Sequence, residues 1–156
     1  MAAQLTLKEV LQTAIEKEIG AQQLYSDLAR KVTSQTAKDT FRELVKQEKG
    51  HQTLLERYLQ GGLKSGTLRA EQVIDYKIAE NFEPTEITPD MQLKDIFLRA
   101  ANREKGAHES YLALSKALPV GEVRTLLEGL ASQELEHKHK LEFLYTEVAF
   151  PQTAGG

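Results

Sequence analysis

Six side chains that commonly bind metals occur in this chain as two identical sets, 86 residues apart. The residues are Glu18, Glu48 and His51 in the first set and Glu104, Glu134 and His137 in the second. Glu and His three residues apart lie on one face of a helix, so a single helix can offer an oxygen and a nitrogen to the same ion. The spacing therefore predicts two copies of one carboxylate-histidine site, built for metal cations.

The repeat extends beyond these residues into the apolar positions. The matching pairs at the same offset are Leu11/Phe97, Ala14/Ala100, Tyr25/Tyr111, Leu44/Leu130 and Leu55/Leu141. Self-similarity at a fixed period indicates a repeated structural unit. A duplicated pair of helices is the simplest explanation.

Four helices are predicted to position the six residues. Apolar residues recur at three- and four-residue steps, bounded by a capping box at 6–9, Gly61-Gly62, Thr88-Pro89 and Leu118-Pro119. These signals predict helices over about 6–31, 36–60, 89–118 and 122–146. The segment of about 61–88 is too long for a simple turn and is predicted to be a crossover, with a short helix near 70–80. The tail from 151 is expected to fray.

Antiparallel hairpins would bring the carboxylates to one height. Glu18 and Glu48 are equidistant from Thr33 in the first turn, and Glu104 and Glu134 are equidistant from the second turn. At about 1.5 Å of rise per residue, each pair lies some 20 Å from its turn, near the middle of the bundle. All four carboxylates also continue the apolar lines of their helices, so they are expected to point into the core.

Four inward carboxylates require compensating positive charge, because repulsion and desolvation would otherwise force several of them to take up protons. The sequence pattern predicts no lysine or arginine at the equivalent inward positions, whereas two divalent cations would balance the four acids. Carboxylate and imidazole ligands without thiolate favour iron or manganese. We therefore expect two iron ions, with manganese or a mixed iron-manganese pair as the alternative.

Three other residues could act near this centre. His108 lies one turn beyond Glu104, but its repeat mate is Gln22, which favours a hydrogen-bonding role over metal ligation. Tyr25 and Tyr111 each follow the single Glu of their set by seven residues. They are either core aromatics or partners that orient a ligand carboxylate and supply a phenol close to the metals, and the two roles are compatible.

The arrangement resembles the ferritin-like di-iron and di-manganese carboxylate proteins, in which one Glu from each of two helices joins a Glu-x-x-His from each of the others. Over about residues 6–148, the chain is similar to the rubrerythrin branch of that superfamily. The resemblance implies an all-α, ferritin-like four-helix bundle of two helix hairpins, and the length of 156 residues suits one domain over 1–156. The resemblance also implies a non-haem di-iron oxidoreductase that reduces hydrogen peroxide or dioxygen, and a homodimer. Iron binding or ferroxidase activity for buffering or delivery is the alternative.

The chain departs from rubrerythrin at two points. It has no cysteine, so it lacks the rubredoxin module, and the electron donor must be a separate protein. Position 107 is alanine, where rubrerythrin carries an extra glutamate three residues after the third-helix Glu. The symmetric ligand set is more like that of bacterioferritin, and the ten residues after Thr146 argue against the fifth helix of a storage cage. By symmetry, Glu48 and Glu134 would bridge the metals, and Glu18 and Glu104 would be terminal ligands.

Composition limits the other classes of function. The net charge of −3 is spread over interleaved acidic and basic residues, which argues against nucleic acid and anionic membranes as partners. There is no long apolar stretch and no signal-peptide pattern at the N-terminus, so the cytoplasm is the expected location. The absence of cysteine excludes disulfides and iron-sulfur clusters. A helical adaptor with vestigial ligands is a third hypothesis, and it predicts no bound metal.

Overall fold

The computed structural model describes residues 7–62, 88 and 90–151. Helix α1 spans Leu7–Lys31, α2 Gln35–Arg57, α3 Leu93–Ala117 and α4 Glu122–Ala149. A π-helical turn, Tyr58–Gly62, continues α2. The closest helix packing is within the pairs α1–α2 and α3–α4. Two helix hairpins thus form a four-helix bundle, which confirms the predicted fold class.

Short turns and caps define the hairpins. Between α1 and α2, the Val32 N–H still bonds the Leu28 carbonyl, and Ser34 then caps α2 by accepting from the Ala37 N–H at 3.2 Å. A serine at this position satisfies a backbone donor that the first helical turn leaves without a partner. In the second hairpin, Leu118 ends α3 in an extended conformation, and its side chain is buried.

Three helix boundaries differ from the sequence prediction. The α-helical part of α2 ends at Arg57 rather than near 60, because the chain widens into the π-helical turn. Helix α3 begins at Leu93 rather than 89, because the chain first forms a turn, Met91 N–H to Thr88 C=O at 3.1 Å, and Gln92 is extended. Helix α4 continues to Ala149, since no helix-breaking residue occurs before Pro151.

Several predicted features lie outside the described residues. They are Thr6 in the capping box, Pro89, nearly all of the crossover with its short helix, and the tail beyond 151. The single-domain boundary at 1–156 stays a prediction. Within the described ranges, no helix is both long enough and apolar enough to traverse a lipid bilayer.

Two apolar clusters fill the bundle on either side of its middle. The first core cluster combines the start of α1 and the end of α2 with the end of α3 and the start of α4; Leu11, Leu55, Tyr111 and Leu130 are members. The second core cluster lies at the opposite end and includes Tyr25, Leu44, Phe97 and Leu141. These memberships make α1 antiparallel to both α2 and α3.

The internal repeat is inverted in space. Each of the five apolar pairs found in the sequence has one member in the first core cluster and its mate in the second. An approximate two-fold rotation, about an axis perpendicular to the bundle, therefore relates the second hairpin to the first. This rotation axis passes through the layer between the two core clusters. The two members of each apolar pair consequently lie on opposite sides of this layer.

Candidate metal centre

All six candidate ligands lie in the layer between the two core clusters. The four glutamates are completely buried, while His51 and His137 are only 4% and 5% exposed. Each hairpin contributes two glutamates and one histidine, as the repeat predicted. Complete burial of four carboxylates is costly in an otherwise apolar bundle, because charge is removed from water. These side chains are therefore the main electrostatic feature of the fold.

One half of the centre forms around His51. Its Nδ1 lies 2.9 Å from Glu134 Oε1, 3.6 Å from Glu18 Oε2 and 3.7 Å from Glu48 Oε2. One donor atom from each of these four residues lies within 4.8 Å of the others. A single cation could contact all four donors, and we call this group the His51 half.

The other half forms around His137 and mirrors the first. Its Nδ1 lies 3.1 Å from Glu48 Oε1, 3.7 Å from Glu104 Oε2 and 3.8 Å from Glu134 Oε2. Together these residues are a second group that could hold a cation, and we call it the His137 half. Glu48 and Glu134 belong to both halves, with different oxygens towards each histidine. This is the geometry expected of carboxylates that bridge two ions.

Missing hydrogen bonds mark these donor atoms as a fit for metal. In the described part of the chain, eight buried side-chain nitrogen and oxygen atoms have no hydrogen-bond partner, and seven of them belong to the six candidate ligands. The eighth is the hydroxyl oxygen of Ser110. Buried polar groups in native proteins are normally satisfied, so a concentration of exceptions requires an explanation. Oxygen and imidazole donors in this number suit iron or manganese.

Protons balance the charge of the metal-free cluster. Burial, followed by the neighbouring charge of Glu48, raises the pKa of Glu18 to about 8. Burial and the charge of Glu104 likewise raise the pKa of Glu134 well above its usual range. Burial alone would raise the pKa of Glu48 too, but the close neighbours Glu18 and His137 hold it well below its usual range. One carboxyl of each hairpin therefore keeps a proton while its neighbour is ionised.

The histidines carry further protons in the metal-free state. Burial alone would lower the pKa of His137, but Glu104 and Glu48 outweigh it and raise the value to about 9. Burial opposes protonation of His51 in the same way, and its three carboxylate neighbours raise its pKa far above the usual range. Divalent cations would have to displace these protons, so metal and protons compete for the same atoms.

The two tyrosines bond the carboxylates of the opposite hairpin. The Tyr25 hydroxyl donates to Glu104 Oε1, and the Tyr111 hydroxyl donates to Glu18 Oε1 at 2.6 Å. Both rings also lie in the core clusters, so packing and hydrogen bonding coincide. Burial and the nearby carboxylates raise the pKa of both phenols well above the usual value, which keeps them protonated as donors.

Two glutamines that the sequence analysis did not single out orient the histidines. Gln133 Oε1 is hydrogen-bonded to His51 Nε2, and Gln47 Oε1 is hydrogen-bonded to His137 Nε2. Each amide oxygen accepts from Nε2, so the Nδ1 atom of each ring faces the carboxylates. The signal was present, because the glutamines precede the Glu of each Glu-x-x-His at the same offset of 86. Such partners fix the tautomer and the orientation of metal-binding histidines.

Arg103 brings a positive charge to the centre, although no lysine or arginine was predicted at the inward positions. Its side chain is 7% exposed, and Nη1 lies 3.4 Å from both Glu104 Oε1 and Glu134 Oε2. Position 103 directly precedes the candidate ligand Glu104 and is not one of the apolar, core-facing positions of α3. The prediction covered the inward positions and missed Arg103, because the long, flexible arginine side chain reaches the core from the flank of α3.

The remaining histidines are not among the candidate ligands. His108 is half-buried, and its Nδ1 is 2.6 Å from the backbone carbonyl of Ala131, which agrees with the predicted hydrogen-bonding role. His139 is exposed on α4. Neither residue joins the two groups that could hold a cation.

Comparison with known proteins assigns a family. The sequence profile described as rubrerythrin matches residues 9–96, more than half of the chain. This chain belongs to the rubrerythrin family. The match includes Glu18, Tyr25, Glu48 and His51, whereas Glu104, Glu134 and His137 lie beyond it. A comparison with curated proteins gave no significant match.

Two solved structures are similar to this rubrerythrin-family protein over almost their whole length. A hypothetical protein from Pyrococcus furiosus has 25% identity and a TM-score of 0.69, with 95% of this chain and 93% of that chain covered. A protein from Thermotoga maritima, described as a candidate ferritin-like diiron-carboxylate protein, has 20% identity and a TM-score of 0.71. That comparison covers 95% of this chain and 99% of the other. The predicted ferritin-like fold is confirmed.

Proposed function

We propose that this rubrerythrin-family protein binds two iron ions and is a non-haem di-iron oxidoreductase that acts on hydrogen peroxide or dioxygen. The observation that carries the proposal is the convergence of seven unpartnered donor atoms in two groups that share Glu48 and Glu134. Glu18 and His51 would complete the ligands of one ion, and Glu104 and His137 those of the other. Manganese or a mixed pair fits the same donors.

Bound iron would supply one-electron chemistry towards an oxygen-containing oxidant, and the protein would position the metals and control protons. Glu48 and Glu134 hold both sites together from opposite hairpins. The hydroxyls of Tyr25 and Tyr111 keep their protons and donate hydrogen bonds to the terminal carboxylates Glu104 and Glu18, respectively. The apolar clusters above and below the centre exclude water along the bundle axis. In this proposal, electrons come from a separate donor protein.

Metal content and ligand variants test the site itself. Protein from iron-rich medium is expected to contain two ions per chain by elemental analysis. Glu48→Ala or Glu134→Ala should remove both ions, whereas His51→Ala or His137→Ala should remove one. Glu136→Ala is the matched control, since Glu136 is exposed within the same Glu-x-x-His segment. Metal-free wild-type protein, or full loading of the Glu48 and Glu134 variants, would refute the proposal and favour the adaptor hypothesis.

The second candidate function is iron binding or ferroxidase activity without peroxidase turnover. The observation that favours it is Ala107, which is completely buried in the first core cluster where rubrerythrin has its extra glutamate. Anaerobic loading with two ferrous ions, followed by a stopped-flow pulse of hydrogen peroxide, separates the two functions. Fast oxidation and repeated turnover with a reductant support the oxidoreductase. Slow oxidation without turnover supports iron buffering or delivery.

The family resemblance supports a proposed assembly, and the expected location rests on the sequence pattern. We propose a cytoplasmic homodimer that binds neither nucleic acid nor membranes. The mild net charge of −3 supports the absence of polyanionic partners. Light scattering on the purified chain and fractionation of cells test these two points.

A further inference from the structure

Arg103 breaks the internal symmetry of the centre. Its repeat mate is Lys17, whose backbone carbonyl accepts a weak hydrogen bond from Arg103 Nη2 at 3.5 Å. Arg103 Nη1 lies 3.4 Å from Glu104 and Glu134 oxygens and 3.7 Å from Glu48 Oε2. The guanidinium therefore contacts both shared carboxylates, Glu48 through the oxygen that faces His51, and also Glu104, the terminal carboxylate of the His137 half.

The two terminal carboxylates consequently have different surroundings. Glu104 Oε1 accepts hydrogen bonds from both Tyr25 and Arg103. Glu18 Oε1 accepts from Tyr111, while its Oε2 has no hydrogen-bond partner within the described ranges. Glu104 Oε2 likewise has no hydrogen-bond partner there, so the two carboxylates differ in the additional contact of Arg103 with Glu104 Oε1.

We propose that Arg103 makes the two halves unequal and sets the order of metal loading, with the first divalent cation in the His51 half and the second, more weakly bound, in the His137 half. The proposal rests on the proposed function, because it assumes two bound ions. A guanidinium remains protonated at any physiological pH, so Arg103 cannot lose its positive charge when a metal ion binds. A cation entering the His137 half competes with this fixed positive charge for the terminal carboxylate Glu104 as well as for the shared Glu48 and Glu134.

Titration of the metal-free full chain with Mn²⁺ tests the proposal, because Mn²⁺ suits the donors and binding can be followed without turnover. Calorimetry gives the two dissociation constants, and electron paramagnetic resonance separates free from bound Mn²⁺. The wild type should show two constants at least about tenfold apart, as expected for one charge acting at short range in a protein. His51→Ala should remove the tighter binding step, and His137→Ala the weaker.

Variants at position 103 identify the cause. Arg103→Gln should tighten the weaker step and reduce the separation between the two constants, leaving the part that comes from repulsion between two ions on the shared Glu48 and Glu134. Arg103→Lys should keep the separation, since a positive charge remains. Arg99→Gln is the matched control, because Arg99 is exposed one turn earlier on α3.

Equal constants in the wild type would overturn the role of Arg103 even if the glutamine variant failed to fold. Loss of the tighter step in His137→Ala, or an unchanged separation in Arg103→Gln, would do the same. Two ions bound equally would leave the proposed function intact. No binding of Mn²⁺ or iron by the wild type would instead refute the proposed function, and the loading order with it.

Discussion

At the scale of single residues, the centre consists of ligands and of groups that hold the ligands in place. The supporting contacts cross between hairpins: Gln133 from α4 holds His51 of α2, and Tyr111 from α3 holds Glu18 of α1. Each half of the centre is therefore fixed by the opposite hairpin. Substitution of one supporting residue should affect one half of the centre more than the other.

Loss of the glutamine contact should weaken metal binding at one half. In Gln133→Leu, the Nε2 of His51 loses its acceptor, and we expect the Mn²⁺ affinity of the His51 half to fall by roughly 10- to 100-fold. Gln47→Leu should weaken the His137 half instead. Gln23→Leu is the control, since exposed Gln23 bonds Asp27 of its own helix. Equal losses at both halves from either substitution would contradict a specific role in orienting one histidine.

Loss of a tyrosine hydroxyl should destabilise the metal-free protein. Tyr111→Phe removes a buried hydrogen bond of 2.6 Å to Glu18 and keeps the ring in the core. The free energy of unfolding in urea should fall by about 1–3 kcal/mol, the usual cost of leaving a buried polar group without a partner. Tyr145→Phe, a change near the edge of the second core cluster, should alter it by less than about 0.5 kcal/mol. Equal effects of the two substitutions would argue against the hydrogen bond.

At the scale of helices and hairpins, stacked aromatic rings connect the two repeats. Phe41 of α2 lies between Tyr25 of α1 and Phe97 of α3, with ring centroids 5.9 Å and 5.7 Å away. The stack therefore joins the hairpins above the metal layer. It also supports the ring whose hydroxyl bonds Glu104.

Removal of the central ring should loosen both hairpins. Phe41→Ala leaves a cavity at a completely buried position, and we expect the free energy of unfolding to fall by about 3–5 kcal/mol. Phe143→Ala is the control, because that ring is 61% exposed on α4. Denaturant unfolding of both variants measures the difference. A loss below about 1 kcal/mol in Phe41→Ala would show that the stack contributes little to holding the hairpins together.

At the scale of the whole molecule, the buried centre couples metal, protons and folding. A group whose pKa is higher in the folded protein holds its proton more tightly there, so stability falls as pH rises from the unfolded to the folded pKa. This range is about pH 4.5–8 for Glu18 and 6.5–9 for His137. Because of both groups, the free energy of unfolding of the metal-free protein should therefore decrease as pH rises from about 6.5 to 8.

The stability that bound metal adds should show the opposite pH dependence. Metal replaces the protons, so its apparent affinity, and the stability it adds, increase as pH rises. We expect the melting temperature of the chelator-treated protein to decrease from pH 6.5 to 8, while the increase caused by saturating Mn²⁺ becomes larger. Calorimetric scans at several pH values measure both quantities. A metal-induced increase that stays constant across this range would argue against competition at the buried acids.

Much of the centre follows from the sequence because helix geometry converts spacing into position. Glu48 and His51 must share a helical face, and equidistance from a turn brings Glu18 level with Glu48 in an antiparallel hairpin. The repeat extends the same reasoning to Glu104, Glu134 and His137. The structure brings all six together, while their metal ligation stays a prediction.

Other contacts depend on how the hairpins pack, which local spacing does not specify. The sequence indicated that Tyr25 and Glu18 share a helix, but the inverted arrangement directs the Tyr25 hydroxyl to Glu104 in the opposite hairpin. The same arrangement pairs Gln47 with His137. Arg103 reaches the acids because its long side chain extends inward from the helix flank, although its sequence position does not follow the apolar line. Periodicity thus determined the helices, their hairpins and the layer of acids, while only the tertiary structure decided which groups support each ligand, because those contacts join residues far apart in the chain.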